Sequence, residues 1–258
     1  MNRDKPGVRG AVFTPVGTLA RVDAVVRRLG DAINLGLLAD GEQLPGETDL
    51  AAQFGVSTVT LREALMALRQ QGLVVTRRGR GGGSFVTVPD GPAEDRLRAR
   101  LSDWSTEELG DLADHWAAVS GAAARLAAQR TDSEDLRQLR RSLGELVEAE
   151  GTAARSRILG RFHVELAAAA QSPRLTREEV TFRTELGALL RLVLGEDEYF
   201  KDLLDRHRAV ISAVHDGAGN RARALAEQCV QVSMARLIEL RLDAADGERR
   251  PCPKEGSP

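Results

Sequence analysis

The chain has 258 residues, of which 42% are hydrophobic and 29% charged, and its formal net charge is −2. This composition is typical of a folded globular protein and excludes a disordered or collagen-like chain. No run of about 18 apolar residues and no signal-peptide core occurs, so we expect a cytoplasmic protein without a membrane partner.

The N-terminal third of the chain predicts an arm followed by helices and a hairpin. Residues 1–18 lack periodicity and are predicted to form a flexible arm. Glycine ends the second predicted helix, and Ser57 is expected to cap the third. This order of elements is that of a winged helix-turn-helix, which we assign to residues 19–89. The predicted elements are helices over 22–37, 47–54 and 58–71 and strands over 73–76 and 84–88.

After a Pro- and Gly-containing linker, every long segment predicts a helix. Residues 90–245 are therefore predicted to form an all-helical domain, and residues 246–258 a disordered tail. The expected fold class is mainly α, with an N-terminal winged helix-turn-helix and a C-terminal helical bundle. The predicted helices of the second domain cover 94–104, 106–129, 134–150, 153–170, 174–194, 198–215 and 220–245.

The small net charge conceals an asymmetry along the chain. Residues 1–89 carry 11 Lys and Arg against 8 Asp and Glu. Five arginines and a single acid, Glu63, lie between Ser57 and Pro89. Such a local basic patch attracts phosphate, so these residues indicate a nucleic-acid interface. The alternative is a basic face that is only solvated.

Several motifs resemble those of the GntR family of regulators. The segment GEQLPGETDLA at 41–51 is followed by FGVS at 54–57, TLREAL at 60–65 and GSFV at 83–86. Phe162-His163 and Arg206-His207 resemble the FadR-like branch, whose helical domain is called FCD. The likeness covers about residues 20–242. It implies a DNA-binding domain joined to a helical domain for effector sensing and dimerisation.

The third predicted helix would be the recognition helix, which places its N-terminal residues in the major groove. Arg62 can form two hydrogen bonds to guanine, and the wing arginines can contact phosphate. The family usually has Arg where this chain has Thr48 and Thr58, so the operator is expected to differ. The candidate DNA-binding residues are Thr48, Thr58, Thr60, Arg62, Arg77, Arg78, Arg80 and Gly81.

Three possible metal ligands, His163, His207 and Cys229, lie on apolar helix faces. Imidazole and thiolate together suit zinc, and three protein ligands leave one position open. The resemblance implies a divalent-metal site made of one Asp and three His. This chain has Leu159 at the Asp position and Cys229, or Gln231, at one His position. The alternative is a pair of hydrogen-bonded core histidines with a cysteine that acts as a small hydrophobe.

The resemblance also implies a small-molecule effector, often a carboxylate. Arg161, Arg183 or Arg191 could bind such a ligand, and their spacing does not choose among them. The family's usual Arg-x-x-Leu-Glu motif is replaced here by residues Trp116 to Ser120.

The function expected from these observations is a dimeric, ligand-responsive regulator, a repressor, that binds a palindromic double-stranded operator. No nucleophile elbow, phosphate loop or H-E-x-x-H motif occurs, so we expect no enzymatic activity. One alternative is a metal hydrolase that uses His163, Glu165 and His207. The other is a helical interaction protein that has lost DNA binding, which Thr48 and Thr58 motivate.

Overall fold

The computed structural model describes residues 18–79, 81–89 and 93–249. The predicted N-terminal arm up to residue 17, and the predicted tail from residue 250, lie outside these residues. The described chain forms two compact units, one of residues 18–33 and 38–89 and one of residues 34–37 and 93–249.

The first unit is a winged helix-turn-helix. Gly55 ends its second helix in the left-handed conformation at φ 66°, as glycine does without steric penalty. Ser57 then caps the third helix, because its hydroxyl accepts a hydrogen bond from the backbone N–H of Thr60 at 3.1 Å. This confirms the predicted cap. The elements are α1 (Thr18–Asn34), α2 (Glu47–Phe54), α3 (Thr58–Gln70), β1 (Val74–Arg77) and β2 (Gly83–Val86).

The wing is an antiparallel hairpin in which Val74 faces Val86 and Arg77 faces Gly83. The segment before α2 extends it, since Leu44 N–H donates to the Ser84 carbonyl at 2.9 Å. Apolar side chains from the three helices and both strands form one core beneath it. Its fully buried members include Ile33, Leu61, Ala64 and Leu68.

The second unit is a helical bundle in which α5 packs along α10. Capping boxes at Ser105 and Asp132 set the starts of α5 and α6. The helix α8 ends at Leu190, four residues before the predicted end, and α10 continues to Arg249. Its helices are α4 (Glu94–Ser102), α5 (Thr106–Arg130), α6 (Ser133–Val147), α7 (Gly151–Ala169), α8 (Pro173–Leu190), α9 (Asp197–His215) and α10 (Gly219–Arg249).

The predicted fold class is confirmed: the chain is mainly α, with strands only in the wing among the residues that the structure describes. Two apolar clusters form the core of the bundle, one around Phe162 and the other around Trp116 and Phe182. None of the helices over 18–249 combines the length and apolar character that crossing a membrane requires.

Candidate functional site

The exposed tip of α3 is the first candidate site. Thr58 begins this helix and is half-buried, while the side chain of Val59 is 59% exposed. Arg62, one turn further along, is exposed on the same helix. A hydroxyl, a branched apolar group and a guanidinium therefore point outward from the helix end that enters a DNA groove in this motif.

Thr60 does not belong to this exposed set. Its side chain is 5% exposed, and its hydroxyl lies 2.9 Å from the capping hydroxyl of Ser57. Position 60 faces the core because it lies one helical turn before the buried Ala64. The structure thus places the Thr60 hydroxyl at the capped start of α3 rather than at the exposed tip, and a contact of Thr60 with DNA stays a prediction.

Arg62 is oriented by an acidic residue of α2. Its Nε donates to Glu47 Oε2 at 2.6 Å. Both side chains are largely exposed, and such pairs contribute little to folding stability. This contact uses Nε, so the two terminal amino groups of Arg62 can still donate to DNA. These are the groups with which an arginine binds guanine O6 and N7. Glu47 is thus a positioning residue that composition and spacing did not reveal.

The wing presents further basic groups. The guanidinium of Arg77 lies over the Phe85 ring, 4.4 Å from its centre. Arg78 and Gly81 are exposed. Thr48 is exposed in the first turn of α2. Arg80, the remaining predicted DNA-binding residue, lies outside the described residues.

The second candidate site is a buried set of polar side chains in the helical bundle, which we call the polar centre. All six members are at most 6% exposed, although four of them carry ionisable groups. Four helices contribute to it: α5, α7, α8 and α9. Its members are Trp116, Ser120, His163, Glu179, Arg183 and His207.

Two neutral histidines form one side of the polar centre. The Nε2 atoms of His163 and His207 are 3.0 Å apart, and His207 Nδ1 lies 2.6 Å from the Leu203 carbonyl oxygen. His207 therefore carries its proton on Nδ1, and His163 donates from Nε2. Burial, together with the charge of Arg183, lowers the pKa of His163 well below its usual range and that of His207 to about 4.

An ion pair within α8 forms the other side. Glu179 Oε1 accepts from Trp116 Nε1 at 2.9 Å, and Glu179 Oε2 accepts from the Ser120 hydroxyl at 2.8 Å. Arg183 Nε donates to Glu179 Oε1 over 3.4 Å, which is long for a charged pair. Burial raises the pKa of Glu179, although Arg183 and these two donors oppose the rise.

These residues do not fit the predicted metal site. Within the described residues, no three His, Cys, Asp or Glu side chains are placed to hold a metal ion. Leu159 is buried and apolar, so it provides no carboxylate. Burial raises the pKa of Cys229 to about 12, so its thiol is protonated in the metal-free protein. The structure therefore does not assemble His163, His207 and Cys229 into the expected zinc centre, and the positive charge of Arg183 nearby opposes a divalent cation.

The three residues of the alternative metal-hydrolase site, His163, Glu165 and His207, do not meet at one place. Glu165 accepts from Gln138 at 2.9 Å and from the Ser142 hydroxyl at 2.6 Å, on a different side of α7 from His163. Arg161, one of the predicted carboxylate-binding residues, pairs with Glu145. Arg183, another of these predicted carboxylate-binding arginines, is a member of the polar centre.

Sequence reasoning missed the burial of Glu179 because a Glu and an Arg four residues apart usually form an exposed pair on a helix. A signal was nevertheless present. Glu179, Phe182, Arg183 and Leu186 follow the spacing of one helix face, and all four are buried. A charged pair in the middle of an apolar face indicates a buried polar site.

Comparison with known proteins agrees with both units. The family model "Bacterial regulatory proteins, gntR family" matches residues 21–84, and the model "FCD domain" matches residues 111–232. A Mycobacterium gastri protein named as the HTH-type transcriptional regulator RmpR is 36% identical over 242 residues, covering 93% of this chain and 88% of its own.

Two more distant proteins are similar to this chain over most of its length. The galactonate operon transcriptional repressor of Escherichia coli K12 is 26% identical, over 86% of this chain and 99% of its own. The solved structure of E. coli McbR/YncC shares the fold, with a TM-score of 0.50 and 18% identity over 85% of this chain and 97% of that one. The chain therefore belongs to the GntR family of bacterial transcriptional regulators, with an FCD domain as its helical part.

Proposed function

We propose that this protein is a ligand-responsive repressor that binds a palindromic operator as a homodimer and is controlled by a small carboxylate. The observation that carries the proposal is the exposed guanidinium of Arg62, held by Glu47 at the tip of the recognition helix. Thr58 and Val59 beside it can contact the thymine methyl group. Arg77 and Arg78 would anchor the wing on phosphate.

Repression and dimerisation are inferred from two arguments. A similar protein is named as the repressor of a galactonate operon, and galactonate is a carboxylate. Regulators that use a helix-turn-helix commonly bind two half-sites about one DNA turn apart, so a two-fold dimer matches a palindrome. The effector would act by binding one arrangement of the dimer more tightly than the other.

The test is a selection of genomic DNA fragments with the purified full chain at two salt concentrations, because phosphate contacts make affinity salt-dependent. One palindromic site that survives higher salt supports the proposal. Salt-labile binding without a consensus contradicts it and would favour a helical interaction protein with degenerate DNA binding.

The selected site also allows a test of Arg62. We expect Arg62→Ala to weaken operator binding by about 1–3 kcal/mol and to relax the preference at one base pair. Arg69→Ala is the matched control, since it removes the same charge from the other end of α3, where Arg69 donates to Thr76 at 3.2 Å. Equal losses for the two variants in a binding titration would contradict base recognition by Arg62.

A further inference from the structure

We propose that Gln43 is a positioning residue for DNA binding, because its side-chain amide holds the tip of the wing in place beside the recognition helix unit. The wing tip is the turn of residues 78–83, of which Arg80 lies outside the described residues. The inference rests on the proposed function in that α3 and the wing are taken to bind DNA together. Gln43 acts through the wing and not by contact with the DNA.

The segment before α2 pairs with β2, and this pairing stops short of the wing tip. Gln43 faces Phe85 in an antiparallel bridge. The backbone bond nearest the tip runs from the Leu44 N–H to the Ser84 carbonyl at 2.9 Å. The chain then turns into α2, whose N-cap is Gly46. The wing tip therefore lies beyond the backbone ladder of this segment.

The side chain of Gln43 extends the ladder to the tip. Its Nε2 donates to the Gly82 carbonyl at 3.2 Å, while the Gly82 N–H donates to the Gly79 carbonyl at 2.9 Å. A Cβ at Gly83 would lie 2.8 Å from Gln43 Nε2. A larger residue at position 83 would thus displace the amide, and the sequence has the glycine that this approach requires.

The composition of the wing tip explains why an external support matters. Four of the seven residues 77–83 are glycine, the residue with the greatest conformational freedom. A cleft of about 480 Å³ borders the contact and is lined by Gln43, Gly46 and Gly82, among others. Side chains do not fill this space, so the hydrogen bond from Gln43, rather than packing, fixes the tip on that side.

The same segment also orients the recognition helix. Glu47, four residues after Gln43, accepts from Arg62 Nε at 2.6 Å. Between them Leu44 is 5% exposed and anchors the segment in the core. One short piece of chain therefore holds the wing tip near one end and the Arg62 guanidinium at the other. The two DNA-binding elements are held in place before DNA arrives, which lowers the entropy cost of binding.

The first test measures the order of the wing in the full chain without DNA. Gln43→Met keeps the length of the side chain and removes the donor, and Gln53→Met is the matched control at an exposed position of α2. Trypsin cleaves after arginine, so Arg78 reports the wing and Arg62 reports α3. We expect Gln43→Met to speed cleavage after Arg78 alone, because proteolysis follows the population of the open form. Unfolding of the whole unit would speed both cuts.

The second test is a binding titration of the same variants on the operator from the genomic selection. Gln43→Met should weaken binding, while the preference for the base pair that Arg62 contacts stays unchanged. Both effects come from one equilibrium between a held and a released wing. The factor in cleavage multiplied by the factor in affinity should therefore be about twofold to tenfold, the effect of one such hydrogen bond.

Three results would overturn the proposal. If cleavage after Arg78 is unchanged while binding weakens, Gln43 contacts the DNA itself. If cleavage is faster but the affinity is unchanged, the position of the wing does not limit binding. Equal effects of Gln53→Met, or no effect of Gln43→Met in either assay, show that the hydrogen bond to Gly82 has no special role.

The two tests distinguish failure of this inference from failure of the proposed function. A palindromic consensus for the wild type, together with unchanged cleavage of Gln43→Met, refutes the role of Gln43 and retains the regulator. Absence of a consensus refutes the proposed function. The cleavage test still applies in that case, and the titration is then made on a duplex of unrelated sequence, since phosphate contacts do not depend on the bases.

Discussion

The loss of folding stability on replacing Glu179 by alanine can be estimated from the contacts in the structure. Glu179→Ala removes the acceptor of three hydrogen bonds, from Trp116, Ser120 and Arg183, all within the protein interior. It also leaves the Arg183 cation without a counter-charge, since no other acid of the described chain is recorded as its partner. The effect is therefore expected to be much larger than that of an ordinary surface substitution.

The magnitude follows from these losses. Removing one partner of a buried ion pair costs about 3–5 kcal/mol. Trp116 and Ser120 each lose their acceptor, which alone would cost about 1–3 kcal/mol for each donor. These costs do not simply add to that of the ion pair, because all the groups belong to one network. We expect a loss of about 3–5 kcal/mol, or roughly 10 °C in Tm for a domain of this size.

Tryptophan fluorescence is a selective assay for this loss. Both tryptophans, Trp104 and Trp116, lie in the helical domain, so urea unfolding followed at their emission reports that domain alone. Glu178→Ala is the matched control, because it makes the same change at an exposed neighbour on the same helix. A loss below about 1 kcal/mol for Glu179→Ala, or an equal loss for Glu178→Ala, would refute the importance of the network.

Two further predictions concern the wing and acid stability. A Cβ at Gly82 would lie 2.5 Å from the Arg77 carbonyl oxygen. Gly82→Ala should therefore destabilise the wing by about 1–3 kcal/mol and weaken operator binding. Gly30→Ala is the control, since a Cβ there makes only ordinary contacts and should have neither effect. The pKa of His207, about 4 when folded and about 6.5 when unfolded, means that only the unfolded state binds the proton between these values. Its stabilising contribution is therefore complete above pH 6.5 and falls by about 3 kcal/mol toward pH 4; unfolding curves of wild type and His207→Gln that keep a constant difference over this range would contradict it.

Much of the fold followed from local signals. Ser57 and Asp132 occur where a helix must satisfy its first N–H groups, and helices begin directly after both. The end of α8 was harder to predict, because the apolar pattern continues through Leu192, Val193 and Leu194 although the helix ends at Leu190. Periodicity reports which residues are buried, and these three are buried in a turn rather than in a helix.

The sites were predictable only in part, for a physical reason. Helical spacing placed His163 and His207 on apolar faces, and they do meet. It could not show that Arg62 would meet Glu47, since 15 residues separate them and only the turn between the helices brings them together. Contacts of this kind depend on tertiary geometry that a one-dimensional pattern does not contain.

The local nature of the ion pair in α8 has a consequence for how the domain is made. Glu179 and Arg183 are one helical turn apart, so they can pair as soon as that helix forms, before any neighbour has docked. Trp116 and Ser120, which complete the network, lie on α5 and can join it only when that helix packs against α8. An ion pair that forms within one helix is neutral before it is desolvated, so no lone ion has to enter an apolar interior.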